Sequence, residues 1–135
     1  MNEHGFIKSV HRHLPADTFS WKIHDTYTGG VPDAMYAGPA RILFVEYKYL
    51  KLPKKETTLI KTGLSALQLQ WLDKMHLYNV AVAVIIGSSS GSIVLTGSKW
   101  HQELFQKDFE DALNTKQLSN WIYRTINERK LPNLW

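Results

Sequence analysis

The sequence predicts an α/β chain, with an α-β-β-β-α-β core around a mixed sheet and a C-terminal helical extension. Three observations predict it. Phe19 to His24 and Arg41 to Tyr49 alternate in the manner of strands. Asn79 to Ile86 is nearly all apolar and β-branched, as in a strand buried on both faces. Between the last two lies a stretch with helical spacing, 65–77, so a crossover and a parallel strand pair are expected. With 135 residues, a single domain is expected, its core at 1–96 and the extension at 97–135.

The chain opens at 2–14 with apolar residues at Phe6, Ile7, Val10 and Leu14, the spacing of a helix with one buried face. Pro15-Ala16-Asp17 ends it. In the strand that follows, Phe19, Trp21 and Ile23 alternate against Ser20, Lys22 and His24. Lys22 and His24 are expected to share a polar face toward a cleft, and Lys22 is a candidate DNA contact. For His24 a solvated role is the better reading, since the six histidines have no metal-ligand spacing. In the loop 25–30, Thr26 and Tyr27 are candidate phosphate contacts. Gly29-Gly30 has two readings, close backbone approach to a ligand or a plain tight turn.

The most informative stretch is Gly29 to Lys48. Pro32-Asp33 opens a short strand, Ala37-Gly38-Pro39-Ala40 turns the chain, and Arg41 to Tyr49 returns. Residues two apart in a strand share a face about 6.5–7 Å apart. Ile42, Phe44, Glu46 and Lys48 therefore point one way, and Leu43, Val45 and Tyr47 the other. The even face starts apolar and ends in an acid and a base, as at the floor of a cleft, and Asp33 can lie beside Glu46. Aspartate, glutamate and backbone carbonyls form a hard-oxygen site suited to Mg²⁺. A lysine at its edge supplies the charge that phosphodiester hydrolysis requires. Taken alone, Asp33 reads better as an ordinary turn aspartate, and it is Glu46, Lys48 and the apolar frame that make it a candidate ligand.

Residues 49–63 carry Lys51, Lys54, Lys55 and Lys61 against a single acid, Glu56. The segment reads as a mobile loop, either a phosphate-binding one that does not read sequence or a merely solvated one. In the helix 65–77, Leu64, Leu67, Trp71, Leu72 and Met75 form the expected buried stripe. Ser65 and Gln68 stand in capping-box relation, a sufficient structural reason for Gln68. After the buried strand, Ser88-Ser89-Ser90-Gly91 is a polar turn without the lysine of a phosphate loop, and 92–96 is a last strand. Trp100, Leu104, Phe105 and Phe109, then Leu118, Trp121, Ile122 and Ile126, read as two amphipathic helices parted near Asn114. Either could be core or a dimer interface, and the tail Leu131 to Trp135 must dock or dimerise.

Pro32-Asp33 followed by Glu46-Tyr47-Lys48 resembles the PD-(D/E)XK nuclease superfamily. With Gly30-Val31, Phe44-Val45, Leu64-Ser65, Gln68 and Trp71-Leu72 added, the pattern resembles its VRR-NUC branch and phage Holliday junction resolvases over about residues 1–96. The resemblance implies a restriction-endonuclease-like fold and a metal-dependent DNA endonuclease selective for branched DNA. It implies Asp33, Glu46 and the Tyr47 carbonyl as ligands of Mg²⁺, with Mn²⁺ able to substitute and Ca²⁺ binding without turnover. Lys48 would act on the attacking water, and Gln68 would turn its amide toward the metal. Glu3 is the one acid placed as a further ligand, its other reading being a favourable charge at a helix N-terminus. A homodimer is implied, as are two competitors: a nicking, flap or restriction nuclease, and a non-catalytic DNA-binding module.

Composition agrees. The net charge of +4 favours an anionic partner, and the absence of cysteine excludes disulfides and thiolate metal sites. No apolar run approaches the roughly 20 residues of a membrane span, and no signal peptide is evident. A cytoplasmic protein of a bacterial or phage-infected cell, without membrane contact, is expected.

Overall fold

The computed structural model describes residues 1–25 and 27–135, so Thr26 lies outside the described residues. The elements are α1 (Glu3–Arg12), β1 (Phe19–Lys22), β2 (Ala34–Ala37), β3 (Ile42–Tyr49), α2 (Ala66–Leu77), β4 (Ala81–Ser88), β5 (Gly91–Leu95) and α3 (Thr115–Asn127). Two short 3-10 turns, Lys99–His101 and Gln106–Phe109, precede α3. The strands lie in the order β1-β2-β3-β4-β5. Every pair is antiparallel except β3–β4, which is parallel as the α2 crossover requires.

Both faces of the sheet carry a core. On one, Tyr36, Leu43, Val45, Tyr47, Ala83 and Ile85 pack against α1 through Phe6, Ile7 and Val10, and against α3 through Leu118, Trp121, Ile122 and Ile126. On the other, Val82, Val84, Ile86 and Leu95 meet Leu72 of α2 together with Ile60, Trp100, Leu104 and Phe109. Among the described residues no helix is long and apolar enough to cross a membrane.

The helix ends follow local chemistry. Asn2 caps α1 by accepting from the Gly5 amide, and Asn114 caps α3 with a reciprocal Gln117 bond. Arg41, beside the β2–β3 turn, donates to the carbonyls of Thr125, Glu128 and Arg129, satisfying groups that the end of α3 leaves open. A Cβ at Gly38 would stand 2.5 Å from the Ile126 carbonyl oxygen, so only glycine lets the hairpin turn approach so closely.

Four sequence expectations are corrected here. β1 ends at Lys22 rather than His24, and its apolar side chains form no buried face: Phe19 and Trp21 are 57% and 55% exposed. Cross-strand pairing puts Phe19, Ala37 and Ile42 in one row and Trp21, Met35 and Phe44 in the next. The α2 helix reaches this face only as far as Phe44, on which Trp71 packs edge-on at 5.3 Å. Ile42, expected at the base of a continuous core, is therefore exposed, and the continuous core lies on the odd face instead. Leu67 leaves the expected helix stripe: it is exposed at 55% and turns toward Gly29.

The first C-terminal stripe is not an α-helix. Leu104 is extended there to bridge Ile60, which breaks the segment into 3-10 turns, yet Trp100, Leu104 and Phe109 are all buried. The same bridge tethers the lysine loop expected to be mobile, since the Ile60 N–H donates to the Leu104 carbonyl at 2.8 Å. The tail docks on its own chain: Trp135 stacks on Trp121 at 5.3 Å and donates to Thr125. Both apolar stripes proposed as interface material are thus spent on the intramolecular core.

Candidate active site

The site forms where β3 outruns its neighbour. Pairing of β2 with β3 stops at Ala34 opposite Val45, which leaves the edge of β3 beyond that point without a strand partner. Asp33 fills the place: its Oδ2 accepts the Tyr47 N–H at 2.8 Å. The N–H and C=O of one strand residue point to the same edge, so the Tyr47 carbonyl is also directed to the Asp33 side. Ala34 shares its face with Val45, and by alternation Asp33 falls on the face of Glu46.

Glu46 is buried, with 3% of its surface exposed. Its Oε2 receives the Gln68 amide Nε2 at 2.7 Å and lies 3.7 Å from Lys48 Nζ. From the opposite face, the first residue of α1 brings Glu3 to the same place. Asp33 is the acid neighbour whose charge acts on both Glu3 and Glu46. Burial, then the nearby Asp33 charge, pushes Glu46 up to about 8, and the Lys48 cation only partly opposes this. Glu3 is raised for the same two reasons. As the side chains lie, no three His, Asp or Glu residues among those described are arranged to hold a metal ion.

Gln68 unites two readings that the sequence set against each other. Its Oε1 accepts from the Ser65 N–H at 2.9 Å, and Ser65 Oγ accepts from the Gln68 N–H at 3.1 Å. The capping box uses the oxygen of the amide and leaves the nitrogen to donate to Glu46. The Gly29-Gly30 turn has a third explanation. At Gly30, with φ +86°, a Cβ would lie 2.3 Å from the Leu67 carbonyl oxygen. The glycines let the loop carrying Asp33 lie against the first turn of α2, which carries Gln68.

The DNA-contact candidates divide. Lys51 and Lys61 line one hollow of about 250 Å³ with Leu50, Pro53, Leu59 and Ile60. Lys54 and Lys55 are exposed in the same loop. Lys22 is not on the Glu46 face. Register places it with Ala34 and Val45, and its Nζ lies 3.1 Å from His4 Nδ1 beside the start of α1. His24 is exposed, as is Tyr27, whose N–H bonds Asp25.

Sequence reasoning missed a buried chain of polar groups. His11 Nε2, Tyr36 OH and Tyr47 OH are joined by two 2.6 Å hydrogen bonds that tie α1 to β2 and β3. Its only sequence signal is a pair of tyrosines at inward strand positions. Also unforeseen was a second site built on an acid. There, Asp73 of α2 accepts from Trp100 Nε1 at 2.8 Å and from His101 Nε2 at 2.7 Å.

No family model matches the chain, and no curated protein matches its sequence. Among solved structures, the fold is similar to that of Hjc, a Holliday junction resolvase from the archaeal hyperthermophile Archaeoglobus fulgidus, with a TM-score of 0.52. The likeness covers 87% of this chain and 99% of that one at 10% sequence identity. At that identity the likeness shows a shared fold alone, and that fold is the restriction-endonuclease-like arrangement of a mixed five-stranded sheet between helices.

Proposed function

We propose that this chain is a metal-dependent DNA endonuclease of the PD-(D/E)XK superfamily, of the VRR-NUC or phage resolvase kind, selective for branched DNA such as four-way junctions. One observation carries the reading: Glu3 of α1, Asp33 of the loop before β2, Glu46 and Lys48 of β3 and Gln68 of α2 converge where β3 outruns β2. The resolvase fold of the structural neighbour supports it.

In donor chemistry the residues fit a divalent cation, which would draw together side chains that do not converge on one point as they lie. Their donors are all hard oxygens, and the burial and mutual repulsion that raise Glu46 and Glu3 are what such a cation relieves. Asp33, Glu46 and the Tyr47 carbonyl would hold Mg²⁺ or Mn²⁺, with Glu3 beside them. When bound, the ion supplies a lowered water pKa and neutralises phosphate charge. Lys48, anchored by Glu46, orients the attacking water and stabilises charge growing on the phosphate. Gln68 fixes the Glu46 carboxylate so that its orientation does not depend on substrate. Lys51, Lys54, Lys55 and Lys61 hold the backbone.

A homodimer suits a junction, since two identical sites about a two-fold axis make two matched cuts. Its interface cannot come from the C-terminal stripes, which are buried. The exposed apolar rows at Phe19, Trp21 and Ile42 are the surface for it. Incubation with labelled junctions, flaps and linear duplex in Mg²⁺ or Mn²⁺ tests the reading, alongside melting in Ca²⁺. Junction cleavage with a Ca²⁺-raised melting temperature is expected. Binding without cleavage in either metal overturns the nuclease reading in favour of a DNA-binding module.

A further inference from the structure

The outer face of α1 presents His4, Lys8 and Arg12, all exposed and spaced four residues apart. Four residues of helix advance about 6 Å and turn about 40° past a full revolution, so the three groups form a row about 12 Å long that winds gently around the helix. Lys22 extends the row at its start through the 3.1 Å contact with His4. The one acid of the helix, Glu3, is turned into the carboxylate cluster. Among the described residues, no carboxylate lies within ion-pair distance of Lys8, Arg12 or Lys22.

The position of this row gives it meaning. Through Phe6, Ile7 and Val10, α1 packs on one face of the sheet. The lysine loop packs on the other, anchored by Leu50, Leu52, Ile60 and Leu64. The carboxylates sit between, reached by Glu3 from one face and by Gln68 from the other. Two cationic surfaces therefore leave the same site on opposite sides of the sheet. A straight duplex following one is carried away from the other.

We infer that the α1 row is a second DNA track, which holds the backbone of a second duplex arm while the lysine loop holds the first. This rests on the nuclease reading and adds to it that the protein recognises the divergence of two arms at the cut position. An anionic polymer is the partner because Lys22, Lys8 and Arg12, free of acid partners, lie along one surface and can meet successive phosphates, with His4 between them held by Lys22.

The test is the double charge reversal Lys8→Glu with Arg12→Glu, with the double alanine variant beside it should the reversal not fold. Fluorescence anisotropy in Ca²⁺ buffer measures binding to a labelled four-way junction and to a linear duplex. For the reversal, junction affinity should fall about tenfold or more, with duplex affinity within about twofold of wild type. The slope of log affinity against log salt on the junction should drop by about two units, one for each lost cation. Unchanged affinity for both substrates overturns the proposal and makes the row idle surface. Equal losses on both also overturn it, because a single shared track would then be in use. In either case the nuclease reading stands. Wild-type protein that binds neither DNA overturns both.

Discussion

Two carboxylate sites among the described residues, at Asp73 and at Glu46, have opposite electrostatics. At Asp73 the acid has its donors: burial would raise it, but hydrogen bonds from Trp100 and His101 outweigh this and leave it lowered. At Glu46 three carboxyls share a partly buried corner with one lysine and one amide, and burial with the Asp33 charge leaves Glu46 raised to about 8. The first cluster joins α2 to the Trp100 turn and is stable as it stands. The second is destabilised as it stands, and a fold keeps such strain where a ligand or a reaction relieves it. That asymmetry, more than the presence of acids, separates a candidate active site from a structural contact.

The comparison breaks most readily on activity. Asp33→Asn, Glu46→Gln and Lys48→Ala should each lower single-turnover cleavage of a junction by about 10²–10³-fold or more, since each group acts on charge that develops in the transition state. Asp73→Ala should leave the rate of folded protein near wild type. If Lys48→Ala cleaves normally, the site is misassigned.

Stability against pH sharpens the same contrast. Glu46 has a folded pKa of about 8 against an unfolded value of 4.5. A carboxyl raised on folding adds stability below its unfolded pKa and loses it as pH climbs through the folded one. Metal-free wild-type protein should thus lose on the order of a few kcal/mol between about pH 5 and pH 9. In Glu46→Gln, which cannot ionise, the decline should be much flatter. Denaturant midpoints in EDTA across that range measure it, and parallel curves for the two proteins would count against a strained carboxyl at this position.

Much of this was legible in sequence because it rests on local rules. The alternation of Ile42 to Tyr49, the buried run ending at Ile86 and the helix between them placed the parallel pair correctly. Alternation also put Glu46 and Lys48 on one face, with Asp33 free to lie beside them, and the register of β2 on β3 then fixed Asp33 to that face. What stayed hidden depends on where the covering elements stop. Phe19, Trp21 and Ile42 alternate as core residues do, yet α2 is too far along the sheet to cover them. Trp100, Leu104 and Phe109 recur at helical spacing, yet Leu104 is held extended by Ile60, a partner 44 positions away. Periodicity says that a residue is buried without saying against what. Gln68 was ambiguous for a related reason: a capping box is visible in four letters, whereas the free end of the amide finds Glu46 only through the crossover.

On the stable cluster, Asp73→Ala leaves the indole N–H of buried Trp100 without its acceptor. It should cost about 1–2 kcal/mol, seen as a lowered denaturant midpoint with unchanged slope. His101→Ala should cost less, because His101 is half exposed and its lost bond is replaced by water. A loss from His101→Ala equal to that from Asp73→Ala would mean that the imidazole, not the indole, holds the pair together.

The smallest effects come from taking the two ends of Gln68 apart. Ser65→Ala removes the hydroxyl that accepts the Gln68 N–H, and should cost about 1 kcal/mol of stability, the usual value of an N-cap. It leaves the Ser65 N–H bonded to Oε1 and leaves Nε2 facing Glu46, so the cleavage rate of folded protein should hardly change. Gln68→Glu does the reverse. A carboxylate oxygen can still accept from the Ser65 N–H, and the cap survives. The other oxygen, however, now faces Glu46 Oε2 where an N–H donated at 2.7 Å. A fourth acid in the corner should raise Glu46 further and move the steep part of the metal-free stability curve to higher pH. Cleavage should fall several-fold at neutral pH and recover partly as pH rises. The two variants should thus separate cleanly, one moving the denaturant midpoint and the other the pH profile. If Ser65→Ala shifts the pH profile as far as Gln68→Glu does, then the cap itself aims the amide at Glu46, and the first turn of α2 belongs to the site as a unit.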